Sequence, residues 1–132
     1  MKAKIIMTQD VVVAHPDMSL HEAKDLLRRH NITGLPVVDD QRRVLGVLSC
    51  SDLVKKKGDR VRQLMTSPAI TVDEDATVEE VAALMATNDV NQIPVLRQGR
   101  LVGIIARADI VRYVAARHAW LEIEPENGAG QQ

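Results

Sequence analysis

The feature that most constrains this chain is that it is written twice. Met7-Thr8 recurs 58 residues later as Met65-Thr66, Asp17 as Asp75, Glu22 as Glu80, Leu26 as Leu84 and Pro36-Val37 as Pro94-Val95. A turn in the second copy is one residue shorter, and at an offset of 57 Arg43 matches Arg100, Gly46 matches Gly103 and Asp52 matches Asp109. Apolar positions between these landmarks also correspond, as in Ile32/Val90, Leu35/Ile93 and Val47-Leu48/Ile104-Ile105. A repeat of this kind reports one supersecondary unit used twice. A unit of about 57 residues alone is marginal, because small domains bury too little of their surface. The two copies are therefore expected to share a core as one pseudo-twofold globule.

Each copy reads β-α-β-β-α, which makes the chain an α+β protein. Val11-Val12-Val13 and Ile70-Thr71-Val72 are short β-branched runs. Ser19-Leu-His-Glu22 and Thr77-Val-Glu-Glu80 are capping boxes that predict helix starts. Behind them Leu20, Ala23 and Leu27 share one helical face, as do Val78, Val81, Ala82 and Met85. Pro36-Val-Val38 and Pro94-Val-Leu96 are expected to open strands, with the proline tolerated at the start. Asp39-Asp40-Gln41 and Arg97-Gln98-Gly99 are hairpin turns into Val44–Leu48 and Leu101–Ile105. Asp52 and Asp109 then start the closing helices, the second running from Ile110 to Trp120. The boundaries that follow are 1–58, 59–121 and a disordered tail, 122–132. Lys55 to Arg60 reads as a linker whose lysines are a solvated helix end.

Composition removes several function classes. Lys and Arg (17) nearly balance Asp and Glu (18), for a net charge of −1, which excludes gripping nucleic acid or anionic membrane by bulk charge. Aromatics are 2%, one Tyr and one Trp, so there is no platform for stacking single-stranded bases. The core must be built from Val, Ile, Leu, Met and Ala. The lone cysteine, Cys50, allows no internal disulfide and suits a reducing compartment. No apolar run nears the roughly 18 residues of a membrane span, and the N-terminus has no secretory h-region. The expected location is the cytoplasm. Catalysis is not expected: there is no Walker A, no Gly-x-Gly-x-x-Gly and no Gly-x-Ser-x-Gly. Cys50 is expected to be a bland buried or half-buried thiol. His15, His21, His30 and His118 lack metal spacing, and Met7, Met18, Met65 and Met85 read as core filler. No metal or cofactor is expected.

Six motifs, in order and in duplicate, give the chain a family likeness. They are Ile6–Thr8 (IMT), Ile32–Asp39 (ITGLPVVD) and Val44–Leu53 (VLGVLSCSDL), then Leu64–Thr66 (LMT), Val90–Leu96 (VNQIPVL) and Leu101–Ile110 (LVGIIARADI). The chain resembles a tandem pair of CBS (cystathionine β-synthase) domains, a Bateman module, over about residues 5–115. The resemblance implies two repeats packed through their sheets, with ligand clefts between them. Fold alone does not fix function, which rests on the site.

Gly46–Asp52 resembles the family's ribose-phosphate motif. There a strand end, a short turn and a helix start present free backbone N–H groups and a helix dipole to an anion. Ser49 can add a hydroxyl donor, and an ionised Asp52 can accept both hydrogens of a ribose diol. The competing reading is that Asp52 only stabilises the helix start, with Ser51 as the N-cap. In the second copy Ala106 replaces the serine, Asp109 remains, and Arg107 can reach a phosphate bidentately or be a solvated surface arginine. The resemblance further implies crossed clefts. Site one combines Ser49, Cys50, Ser51 and Asp52 with Thr66, Ile70, Asn91 and Gln92. Site two combines Ala106, Arg107, Ala108 and Asp109 with Thr8, Val12, Thr33 and Gly34. Backbone groups beside Ile70 or Val12 would read a base edge, and Gly34 leaves more room than Gln92. Site one is expected to hold little positive charge.

The reading that follows is a non-catalytic regulatory module, an energy sensor binding AMP, ADP or ATP ahead of S-adenosylmethionine or NAD. The alternative is a ligand-free dimerisation scaffold whose aspartates are helix caps. Binding of single-stranded RNA or DNA, which some family members are reported to do, is disfavoured by the charge and the missing aromatics. The partners implied are an adenosine-type small molecule, a second copy of the chain and a separate regulated protein, but no membrane. A homodimer is expected through the family's helix pairing, with Ile110, Val114 and Trp120 as its apolar face.

Overall fold

A computed structural model describes the backbone of residues 1–123 and the side chains of residues 1–117. The first repeat contains α1 (Ala3–Ile6), α2 (Leu20–His30), β1 (Gly34–Val38), β2 (Val44–Ser49) and α3 (Cys50–Lys55). The second contains α4 (Val61–Leu64), β3 (Val72–Asp73), α5 (Val78–Asn88), β4 (Gln92–Arg97), β5 (Arg100–Ala106) and α6 (Arg107–Ile123). Both expected capping boxes form: Ser19 with Glu22 at the head of α2, and Thr77 with Glu80 at the head of α5. β1 pairs antiparallel with β2, β4 pairs antiparallel with β5, and β3 adds to β4 in parallel. No helix among the described residues is long and apolar enough to cross a membrane. Residues 124–132, most of the expected tail, lie outside the described part.

The repeats exchange their leading segments. Val61 and Leu64 of α4 are buried in the first repeat's core with Ala14, Ala23, Leu27, Leu35, Val37 and Leu48. Ala3 of α1 is buried in the second repeat's core with Val72, Val81, Met85, Ile93, Val95 and Ile105. Backbone bonds fix both exchanges: Val61 N–H to Met18 O and Arg62 N–H to Pro16 O on one side, Ala3 N–H to Ala76 O and Lys4 N–H to Glu74 O on the other. Each exchanged segment ends on its threonine against the other repeat's sheet. Thr66 and Val47 trade two backbone bonds (2.8 and 3.0 Å), as do Thr8 and Ile104 (2.9 and 3.0 Å). The methionines are core filler as expected, Met85 buried and Met7, Met18 and Met65 packed against the two clusters.

Two strand expectations need correction. Val11–Val13 forms no strand; only Ala14 bridges Val37 in parallel. In the second repeat the strand begins at Val72 rather than Ile70. The prolines explain both. Pro36 and Pro94 sit third in β1 and β4, not at their starts. Ala14 donates to Pro36 O and accepts from Val38 N–H. Extending that parallel ladder upstream needs an N–H on Pro36, which proline lacks. Pro94 stops the second ladder in the same way. On the other edge the loss costs nothing, because Val47 and Ile104, opposite the prolines, direct their N–H and C=O groups to Thr66 and Thr8.

The close approach of the exchanged segments requires glycine in β2 and β5. A Cβ at Gly46 would stand 2.6 Å from the Thr66 carbonyl oxygen, a backbone atom that cannot turn away. At Gly103 it would meet the Met7 thioether, the far end of a flexible side chain. Gly46→Ala is expected to cost about 1–3 kcal/mol, the usual range for overpacking. Gly103→Ala is expected to cost less, because Met7 can change rotamer. Urea unfolding of the two variants measures the order.

Candidate functional site

Two charged side chains are buried among the described residues, Asp52 at 7% exposure and Asp109 at 8%. They are the symmetry-related aspartates of the two Gly-to-Asp motifs, each in the first turn of the helix that follows its sheet. A buried carboxylate is tolerable only when hydrogen-bonded. Asp52 is fully served. Its Oδ2 accepts from the Ser49 N–H (3.0 Å) and the Ser49 hydroxyl (3.1 Å), and its Oδ1 accepts from the Thr66 hydroxyl (2.9 Å) and Lys56 Nζ (3.1 Å). Asp109 has fewer partners. Its Oδ2 accepts from the Ala106 N–H (2.7 Å) and its Oδ1 from Arg112.

This geometry corrects several expectations. The N-cap of α3 is Ser49, not Ser51, because the Ser49 oxygen accepts from the Asp52 N–H and completes a capping box. Cys50, at the first position of α3, is exposed rather than buried or half-buried. Site one is not poor in positive charge: Lys56, expected as solvated linker, lies on Asp52. Sequence reading missed Lys56 and Arg112; their signal was a cation four or three residues beyond each motif aspartate. Ile110 packs into the second core instead of facing outward, and Val111 takes the exposed position beside Val114. The side chain of Trp120 lies outside the described residues.

The crossed arrangement appears at Thr66, whose hydroxyl reaches Asp52 from the other repeat. Thr8 pairs with β5 through its backbone, without a hydrogen bond to Asp109 among the described residues. The carbonyls of Thr33 and Asn91 meet the motif of their own repeat, accepting from the N–H groups of Cys50 (3.0 Å) and Arg107 (2.8 Å). Gly34 and Gln92 face each other across the pseudo-twofold, the Gln92 Oε1 standing 3.7 Å from where Gly34 would carry a Cβ. Val12 and Ile70 are half-buried, and among the described residues neither makes a backbone–backbone hydrogen bond. The missing proline N–H leaves the carbonyl of each without its ladder donor. Arg107, Ala108 and Ser51 are exposed, and Ala106 is half-buried.

The CBS domain profile matches residues 3–59 and again 61–116. The chain belongs to the CBS domain family. Protein YlbB of Bacillus subtilis is 32% identical over 117 residues, covering 83% of this chain and 79% of YlbB. The inosine-5′-monophosphate dehydrogenase of Methanocaldococcus jannaschii is 32% identical over 114 residues, which is 84% of this chain but 23% of the dehydrogenase. The chain spans only 23% to 34% of four such longer relatives from that organism. Among solved structures, CBSX2 from Arabidopsis thaliana in complex with AMP matches with a TM-score of 0.83 at 30% identity, covering 89% of this chain and 98% of CBSX2. The CBS domain pair of protein MJ0100, in complex with 5′-methylthioadenosine and S-adenosyl-L-methionine, matches with a TM-score of 0.82 at 30% identity over 89% of this chain and 98% of that one.

Within this CBS pair, burial pushes the Asp52 carboxyl up, but the Ser49 N–H, Lys56, Thr66 and the Ser49 hydroxyl together hold it below its ordinary 3.8. The folded state therefore binds fewer protons than the unfolded state just below the ordinary value. Stability is complete above that value and is lost as pH falls through the folded one. Glu22, Asp39, Glu74 and Asp75 are lowered too, led by the Ser19 N–H, the Arg43 N–H, Arg97 and Lys4 respectively. The urea midpoint is expected to fall steadily from about pH 5 to about pH 3. Asp52→Asn should lower the midpoint at neutral pH and make the acid slope shallower, which a pH series of unfolding curves checks.

Proposed function

We propose that this CBS pair is a regulatory module that binds an adenosine-containing ligand in the clefts between its repeats. AMP, ADP and ATP are favoured ahead of S-adenosylmethionine or NAD. The observation that carries the reading is the pair of buried, symmetry-related carboxylates, each at a strand-to-helix turn beside a segment from the other repeat. Such a carboxylate suits a ribose diol, and the unpaired peptide groups at Val12 and Ile70 suit a base edge. Adenosine ligands in CBSX2 and in the MJ0100 pair, both of this fold at 30% identity, support the same class. Because each cleft draws on both repeats, a ligand would bias their relative packing by its differential affinity for two arrangements. The regulated target is then another chain or another domain, and the module is proposed to act as a homodimer in the cytoplasm.

A second reading, a ligand-free scaffold, is favoured by one observation: both aspartates already accept from the backbone N–H three residues before them. Thermal unfolding separates the two. A ligand that binds the native state alone raises Tm, by RT ln(1 + [L]/Kd) in stability. AMP, ADP or ATP at about millimolar concentration is expected to raise Tm by several degrees, and no shift with any of them supports the scaffold.

The clefts are expected to be unequal. Asp109 carries fewer donors than Asp52, and Arg107 heads a helix of 17 residues whereas α3 has six. A longer helix end and a guanidinium both favour a polyphosphate. Asp109→Ala is expected to reduce the ATP-induced Tm shift more than Asp52→Ala does, each measured against its own ligand-free Tm. The reverse order would make the serine-bearing cleft the principal site.

A further inference from the structure

Lys56 is the first residue beyond α3, at the head of the segment that joins the repeats. An ammonium has three N–H donors, and here all three have partners: Asp52 Oδ1 at 3.1 Å, the Thr66 hydroxyl at 3.2 Å and the Met65 carbonyl at 3.3 Å. With Lys56 in place Asp52 accepts four hydrogen bonds, about its full capacity. The second cleft is built differently. The residue matching Lys56 at the 57-residue offset is Tyr113, and Asp109 is met instead by Arg112, whose side chain is 71% exposed.

A ribose diol can reach Asp52 only if one of its four donors leaves. The two Ser49 donors belong to the capping box of α3. The main chain of Thr66 is held by two bonds to Val47, which keeps its short hydroxyl side chain beside Asp52. Lys56 alone sits on a flexible stem open to solvent, its side chain 39% exposed against 9% for Asp52. Its displacement frees a cation beside Asp52, and only a ligand that carries an anionic group replaces the lost ion pair with another; otherwise water takes the place of the carboxylate.

We propose that Lys56 is the specificity-determining residue of the first-repeat cleft: an internal competitor that occupies Asp52 when the cleft is empty and turns to the ligand's phosphate when it is filled. The cleft then selects nucleoside phosphates over neutral nucleosides. The proposal rests on the adenosine-ligand reading above. A ligand shifts this exchange only by what it offers the released ammonium, so a neutral nucleoside bears the loss of the Lys56–Asp52 contact without compensation.

Calorimetric titration of AMP and of 5′-methylthioadenosine tests it on Asp109→Ala, where the second cleft is disabled, with and without Lys56→Met. The parent is expected to prefer AMP by at least about tenfold, the order of one charge-assisted hydrogen bond. Lys56→Met should weaken AMP and tighten 5′-methylthioadenosine, bringing the two within about threefold of each other. Lys56→Arg, which keeps the charge, should keep the preference and controls for a packing effect of the stem. An unchanged preference in Lys56→Met, or equal weakening of both ligands, overturns the proposal. If the wild-type chain binds AMP but Asp109→Ala does not, this proposal fails and the adenosine reading stands. If the wild-type chain binds neither ligand, the adenosine reading itself fails.

Discussion

Each repeat of this chain completes its core and its sheet with a segment that precedes the other repeat. Val61 and Leu64 fill the first core and Ala3 the second, while Thr66 and Thr8 lie along β2 and β5. For units this small the exchange supplies apolar contact that neither copy has by itself. It also dictates sequence. Gly46 must lack a side chain where Thr66 presses against β2, and a side chain at Gly103 would have to displace that of Met7. The cut between the copies in sequence therefore differs from the cut in space.

The site follows from the same exchange. Asp52 is held on one side by the cap of its own helix and on the other by Thr66, which arrives with the exchanged segment. Any group that binds Asp52 thus touches the seam between the repeats. Pro36 and Pro94 add a second condition, because they end the parallel ladders and leave the carbonyls of Val12 and Ile70 without a ladder donor. A buried carboxylate and free backbone groups are features a sheet normally avoids.

Local signals in the sequence were legible where short-range chemistry decides. Ser19 with Glu22 and Thr77 with Glu80 form the capping boxes their spacing predicts, and the repeat placed Asp52 and Asp109 at equivalent turns. Readings failed where the outcome depends on what arrives from elsewhere. Val11–Val13 has strand propensity but faces a proline, so its ladder stops at Ala14. Ser51 and Ser49 are both plausible caps by residue type, and the end of β2 selects Ser49. Lys56 looked like one of three solvated lysines; the buried charge of Asp52 draws it back over its own helix. Ile110 and Val111 are neighbours of similar hydropathy, and only the position of the second core decides which faces inward.

The central claim is that the cleft carboxylate couples the two repeats. A double-mutant cycle on Asp52→Asn and Thr66→Val, read by urea unfolding at neutral pH, tests it most directly. The account predicts a coupling of about 1 kcal/mol or more, as for a hydrogen bond to a charged group in a half-buried site. Single-variant effects that add within about 0.3 kcal/mol would contradict it, because Thr66 and Asp52 would then be neighbours without a shared interaction.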